Sequence, residues 1–243
     1  MSQSKISVVA IEGLHNSGKS TQIADLYSNL KKEGIFVVVL RGHGFRSGTG
    51  LDINDPVSSW WQKHYPLFME AGQKGRESFM EAEARATNKL YQELFDIKNN
   101  LLEKMKKNKF GRAVILLDRS IVSRLFIWHG HSKNPNFKDL LSFTYKNTHN
   151  KETKIMPIPD LLIVLNVSQK LLLKRNKNKS ERKDKILLNK KIILSRYQDY
   201  IKLINNLPKN IKERTFIINA GRSKTAVQKE ILKLINSQLY FKK

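Results

Sequence analysis

The chain has 243 residues, with 45 Lys or Arg against 21 Asp or Glu, a formal net charge of +24 at pH 7. Hydrophobic residues make up 40%, enough for the core of one α/β domain spanning 1–243, and the absence of cysteine excludes disulfides and thiolate metal sites. No apolar run approaches the roughly 20 residues that span a bilayer, and Met1-Ser-Gln-Ser-Lys5 lacks a signal-peptide pattern, so no membrane association and a cytoplasmic location are expected.

In chain order, Ile6–Ile11 is a short, nearly all-apolar run that predicts a strand buried on both faces of a parallel sheet. A glycine-containing turn follows, then a helix from about Ser20 to Glu33 with Ile23, Leu26, Tyr27 and Leu30 at helical spacing and Gly34 as C-terminal cap. Phe36–Leu40 is a second buried strand. Residues 41–75 are irregular and rich in Gly, Ser and Asp, and 77–107 carry a long helical pattern through Leu90, Leu94, Ile97, Leu101 and Met105. Ala113–Leu117 is a third strand ending at Asp118-Arg119, and another helix runs to about Trp128. Residues 129–159 are polar and predict loop around one short helix. Leu161–Leu165 is a fourth strand, and Ser168 can cap the helix after it. A very basic stretch, Lys174–Lys185, breaks the helical pattern. A helix from about Ile186 to Ile204, a fifth strand at Thr215–Ile218 and a helix from Ala226 to Leu239 complete the chain. Strands alternating with helices predict a five-stranded parallel sheet with helices on both faces.

Gly13-Leu14-His15-Asn16-Ser17-Gly18-Lys19-Ser20 matches G-x-x-x-x-G-K-[ST], between a strand and a helix. Such a loop curls successive backbone N–H groups around phosphate oxygens, and the helix beyond aims its positive end at the same anion. Residues 13–21 are therefore expected to hold the phosphates of ATP. Lys19 would reach the β- and γ-phosphates, and the Ser20 hydroxyl would ligate Mg²⁺. Asp118, at the end of a parallel strand, lies where ligands bind such sheets and is a second candidate for the metal. Arg119 beside it can fork onto a phosphate. Within the basic stretch, Arg175 and Arg182 are candidates to close over a phosphoryl-transfer transition state from a lid at about 174–185. Arg41 and Arg85 are candidates for an acceptor phosphate. His129 and His131 lack a third ligand and read as loop residues. Trp60, Trp61 and Tyr65 fit a base pocket and a loop anchor equally well.

Together these positions resemble the thymidylate kinases, within the nucleoside and nucleotide kinase group. Ile11-Glu12-Gly13 through Gly18-Lys19-Ser20-Thr21-Gln22 looks like their opening. Asp118-Arg119-Ser120-Ile-Val-Ser123 is similar to their "DRYxxS", Pro159-Asp160 through Val167 to their "PDLxxxLxV", and Ile218-Asn219-Ala220 with Val227 and Ile231 to their ending. The matches keep one order over nearly the whole chain. The resemblance implies a P-loop nucleotide kinase fold with a lid, Mg²⁺-ATP as donor, dTMP as acceptor and a homodimer. It also implies that Arg41 and Arg119 meet the acceptor phosphate, that Asp118 serves the metal and catalysis, and that the loop at Ala220 touches adenine.

The sequence departs from the family at several points. His15 stands where an acid is usual, and Phe126-Ile-Trp-His-Gly130 replaces a shorter "AYQG". Glu81, with Phe79 two positions earlier, stands where the base-stacking aromatic is expected, and the helix before Asp118 is longer. Asp118–Ser123 also resembles the "ERSxxS" of deoxynucleoside kinases, whose acceptor carries no phosphate, so a deoxynucleoside or other small-metabolite kinase is the alternative.

The excess charge has two readings, a polyanion partner or an A/T-rich coding bias that enriches Lys, Asn and Ile together. Lysines spread over many helices favour the second. A basic ATP-binding protein that interacts with nucleic acid is the further alternative, against which no nucleic-acid module is recognisable.

Overall fold

The computed structural model describes residues 5–41, 94–103, 105, 111–123, 125–126, 142–146, 151–155, 158–177 and 190–240. The expectations for Trp60, Trp61, Tyr65, Phe79, Glu81, Arg85, His129, His131, Arg182 and the lid beyond residue 177 lie outside the described residues.

Five strands form the main sheet: β1 (Lys5–Glu12), β2 (Phe36–Arg41), β3 (Arg112–Asp118), β6 (Leu161–Asn166) and β7 (Thr215–Asn219), in the order β2-β3-β1-β6-β7. Every pairing in this sheet is parallel. The central position of β1 explains its sequence: with neighbours on both edges and helices on both faces, Val8 to Glu12 are all buried. β3 and β6 are nearly as apolar for the same reason.

Alternate residues of the strands feed two cores. Val9 and Ile11 face α1 (Lys19–Lys32) and α5 (Lys224–Ile235), packing with Ile23, Leu26 and Leu30 of the first and Val227, Ile231 and Ile235 of the second. Val8 and Ala10 face the helical residues 94–103, 121–123 and 125–126 and α3 (Lys190–Asn205), with Leu94, Leu101, Ile121, Leu203 and Ile204. α2 (Gln169–Lys177) follows β6, and a short α4 (Lys209–Lys212) leads into β7.

Caps end and begin the helices where the residue types allow. Gly34, at φ 72°, turns the chain out of α1, with Ile35 N donating to Leu30 O at 3.1 Å. Ser168 Oγ accepts from Leu171 N, and Ser223 Oγ accepts from Ala226 N at 3.2 Å, so α5 begins two residues before the expected Ala226. α5 ends at Ile235, and Asn236–Tyr240 continue as one turn of π-helix that still buries Leu239.

Two expectations are corrected. The polar stretch 129–159, expected to be loop around one short helix, contains among its described residues an antiparallel pair, β4 (Ser142–Lys146) with β5 (Lys151–Ile155). In its register Phe143 stands opposite Lys154, Thr144 opposite Thr153 and Tyr145 opposite Glu152, so residue types that favour strands lie in Phe143-Thr-Tyr145 although Asn and Lys surround them. The helical pattern also does not break at Lys174: α2 continues through Arg175 to Lys177, since no Gly or Pro intervenes.

Candidate active site

The parallel sheet brings the C-terminal ends of its strands to one edge. Glu12, Arg41, Asp118, Asn166 and Asn219 are the last residues of β1, β2, β3, β6 and β7. Asp118 pairs with Ile11 on one side and with Arg41 on the other, so the backbone carries the acid and that arginine side by side.

Between β1 and α1 the chain makes the turn its glycines predict. Gly13 has φ 143°, Asn16 φ 62° and Gly18 φ 103°. A Cβ at Gly13 would come within 2.6 Å of Ser17 Oγ and 2.8 Å of the Leu165 carbonyl oxygen, so only glycine fits. Gly18 is the N-cap of α1, and Lys19, Ser20 and Thr21 form its first turn. The alternation of left-handed and ordinary backbone is the shape that gathers N–H groups into an anion-binding cup at a helix N-terminus.

Lys19 is only 7% exposed. Its Nζ donates to the carbonyl oxygens of Gly13 at 2.8 Å and Leu14 at 2.9 Å, folding the side chain over the turn. Burial first, and then the neighbouring Arg119 charge, lower its pKa, Asp118 and Glu12 oppose the shift, and the outcome is a value of about 7. The charges that share the site with the ammonium are thus the Asp-Arg pair after β3 and the glutamate at the end of β1.

Glu12 is fully buried, and its carboxylate is saturated. Oε1 accepts from Ser120 N at 2.5 Å, Ser120 Oγ at 2.9 Å and Ser123 N at 3.1 Å, and Oε2 accepts from Ser123 Oγ at 2.5 Å. Arg119 adopts a left-handed φ of 76°, uncommon for a residue with a side chain. Its N donates to Ile11 O at 3.1 Å and its Nη1 to Ser123 Oγ at 3.2 Å.

On the other side of the loop, Arg175 reaches from α2 to the backbone. Nη1 donates to the Asn16 and Ser17 carbonyl oxygens, both at 3.2 Å, and Nη2 to the Ala220 carbonyl oxygen at 3.1 Å. One guanidinium thus ties the turn to the segment after β7. Gln22 Nε2 makes a second tie, to Lys224 O at 3.3 Å, and Lys224 Nζ pairs with Asp25 at 2.9 Å. The hollow these ties enclose has a volume of about 420 Å³, with Asn16, Gly18, Thr21, Arg175, Ala220 and Arg222 in its wall. Arg222 is itself held by Glu230.

The residues singled out in the sequence therefore meet: 13–21, Asp118, Arg119, Arg175 and Ala220 line one edge, and the Arg41 backbone joins them. For a divalent cation the donors at hand are oxygens, the Ser20 hydroxyl and the Asp118 carboxylate. Among the described residues no three His, Cys, Asp or Glu cluster. That set fits Mg²⁺ held jointly with nucleotide phosphates and water rather than a metal in an all-protein cage.

Four contributors escaped sequence reading. Glu12 and the two serines were visible only as letters of a motif. Tyr200 lies in an apolar stripe of α3 and reads as core, which it partly is: its ring meets Phe126 edge-on at 5.2 Å. Its hydroxyl, however, is buried without a hydrogen-bond partner among the described residues. Burial raises its pKa well above the usual phenol value, and so does Glu12, with Arg119 opposing. No periodicity distinguishes such a tyrosine from a leucine.

The sheet order, the phosphate-type turn and the acid at the end of β3 define the fold of the P-loop nucleotide kinases. No family model matches the chain. Among solved structures, the thymidylate kinase from Candida albicans superimposes with a TM-score of 0.57 at 18% sequence identity, over 95% of this chain and 91% of that one. The resemblance read from the motifs is thus borne out in the fold. Among the described residues no helix is long and apolar enough to cross a membrane.

Proposed function

We propose that the protein is an ATP-dependent nucleotide kinase that transfers the γ-phosphoryl group to a deoxynucleoside monophosphate, with dTMP the first candidate. The observation that carries this reading is the turn at Gly13–Ser20, with Lys19 folded over it, at the same sheet edge as Asp118-Arg119. The match in fold to a thymidylate kinase, an enzyme of broad substrate specificity, supports it.

In this reading the backbone of 13–21 holds the donor phosphates, and the hollow beside Arg175 and Ala220 takes the donor's base and sugar. Lys19 follows the migrating group. Ser20 and Asp118 would hold Mg²⁺, which when bound offsets the charge of the phosphates. Arg119, with Arg41 and Arg85, orients the acceptor, and Arg175 and Arg182 serve the transition state from the donor side. An acceptor phosphate oxygen forms the new bond to the γ-phosphorus as the bond to the β,γ-bridging oxygen breaks. The attacking oxygen of a dianion carries no proton, so no general base is required. Positioning and charge stabilisation do the work.

The Asp-Arg-Ser sequence favours a second reading, phosphorylation of a nucleoside 5′-hydroxyl, whose proton Asp118 would take. An ADP-release assay over dTMP, dUMP, dCMP, dAMP and thymidine separates the two. Turnover is expected with a monophosphate. Turnover on thymidine and not on dTMP would overturn the first reading in favour of the second.

A further inference from the structure

Glu12 and Ser123 stand in two motifs whose loop and Asp-Arg members have roles above, yet neither is in the wall of the hollow beside Arg175. Glu12 is the last residue of β1, directly before Gly13. A carboxylate this deeply buried is strongly destabilising unless its oxygens are hydrogen-bonded. The four hydrogen bonds it accepts come from one short segment, Ser120 and Ser123, which follows the arginine after β3.

Ser123 is the informative member. A hydroxyl has one proton to donate and lone pairs to accept with. Its short 2.5 Å contact directs the proton to Glu12 Oε2, which leaves the oxygen to accept from Arg119 Nη1. The arginine is thereby held by a neutral hydroxyl rather than by the carboxylate itself. A direct ion pair with Glu12 would compensate the guanidinium charge. The serine relay fixes its direction and leaves the charge for an anion. The backbone agrees: Arg119 occupies a left-handed conformation costing about 1 kcal/mol or more, and such a conformation persists where its surroundings over-determine it. Here the Ile11 carbonyl on one side and the Glu12-bound serines on the other do so.

We propose that Glu12 is the positioning residue of the acceptor site: through Ser123 it aims Arg119 at the anionic group of the acceptor, and it does so from the strand that also opens the donor loop. This rests on the reading of Arg119 as a ligand of the acceptor phosphate. Donor and acceptor anchors are then registered to each other by a single side chain, whose backbone belongs to one and whose carboxylate belongs to the other.

The test is a double-mutant cycle in steady-state kinetics, with ATP and the best monophosphate acceptor, on Ser123→Ala, Glu12→Gln, Arg119→Gln and the doubles of each of the first two with Arg119→Gln. Ser123→Ala is expected to raise the acceptor KM about tenfold, the loss of one charge-assisted hydrogen bond, while the ATP KM stays within about twofold. Glu12→Gln, which reverses the sense of the Ser123 bond but keeps the shape, is expected to raise it about threefold. In the Arg119→Gln background both effects should shrink to less than about twofold, because there is no guanidinium left to aim.

Full, additive effects in both backgrounds, or equal rises in the ATP and acceptor KM, would mean that Glu12 only stabilises the fold, and the proposal fails. Thermal melts separate this from simple unfolding, and the milder Glu12→Gln keeps the test open if Ser123→Ala is unstable. Arg119→Gln with undiminished acceptor use, or a wild type inactive on every monophosphate, would instead sink the acceptor reading beneath it.

Discussion

Lys19 sits in a place hostile to its own charge, which makes its protonation a reporter of what binds. With a pKa near 7, the free protein at pH 8 carries it mostly as the neutral amine, and at pH 6 mostly as the ammonium. A bound polyphosphate favours the charged form and raises the pKa. Binding of ATP with magnesium in excess should therefore take up a proton, approaching about one per site at pH 8 and falling toward pH 6. Calorimetry in two buffers of different ionisation enthalpy measures this directly. Lys19→Arg, whose charge does not titrate, should abolish the uptake, and no uptake by the wild type would refute the placement of Lys19 against the donor. The same burial gives the sign for stability. Between about pH 7 and the ordinary lysine value of 10.5 the unfolded chain binds the extra proton, so folding stability contributed by this group rises with pH across that window. Lys19→Ala should lower turnover by orders of magnitude with little loss of fold, since it removes a cation that helps the transition state and harms the core.

The elements show what a sequence discloses and what it conceals. β1, β3 and β6 were legible because burial on both faces leaves an uninterrupted apolar run, and α1 because its apolar stripe is closed by Gly34. The β4–β5 pair was not. Its five-residue strands carry too few alternations to outweigh the lysines and asparagines around them, and the pairing joins two segments that neither reveals alone. Site residues divide the same way. The turn at Gly13 was legible because its conformation demands a residue type, whereas Glu12 and Tyr200 act through neighbours more than a hundred residues away or through a single buried atom. The demand at Gly13 is itself testable. Gly13→Ala sets a methyl against Ser17 Oγ and the Leu165 carbonyl oxygen in a backbone region that alanine avoids. A stability loss of about 1–3 kcal/mol is expected in denaturant titration, with a larger proportional loss of ATP affinity because the turn must deform. Gly18→Ala meets no atom within 4 Å and carries only the conformational penalty, so it should cost less. Equal costs at the two glycines would contradict the packing seen here.

At the scale of the molecule, the charge of +24 and the chemistry at the sheet edge bear on each other. The described lysines lie on several elements, among them Lys31 and Lys32 on α1, Lys190, Lys191 and Lys202 on α3, and Lys229 and Lys233 on α5, with no single helix collecting them. A spread of this kind makes a broad positive field rather than a patch shaped to one partner. Its consequence is kinetic: anionic nucleotides are drawn toward the surface before any contact forms, and salt suppresses the effect as the screening length falls to about 10 Å at 0.1 M. kcat/KM for ATP and for a monophosphate acceptor should therefore both fall severalfold between about 0.02 M and 0.2 M ionic strength. kcat should change little, because within the buried site Lys19 is shielded from the salt. An uncharged competitor such as thymidine supplies the control, since its inhibition constant should hardly move over the same range. If kcat/KM for the nucleotides is equally flat, the field does not steer substrates and the excess lysine reflects coding bias alone. If salt also abolishes retention on heparin and DNA stimulates ATP turnover, the charge has a polyanion partner, and the kinase reading must share the surface with it.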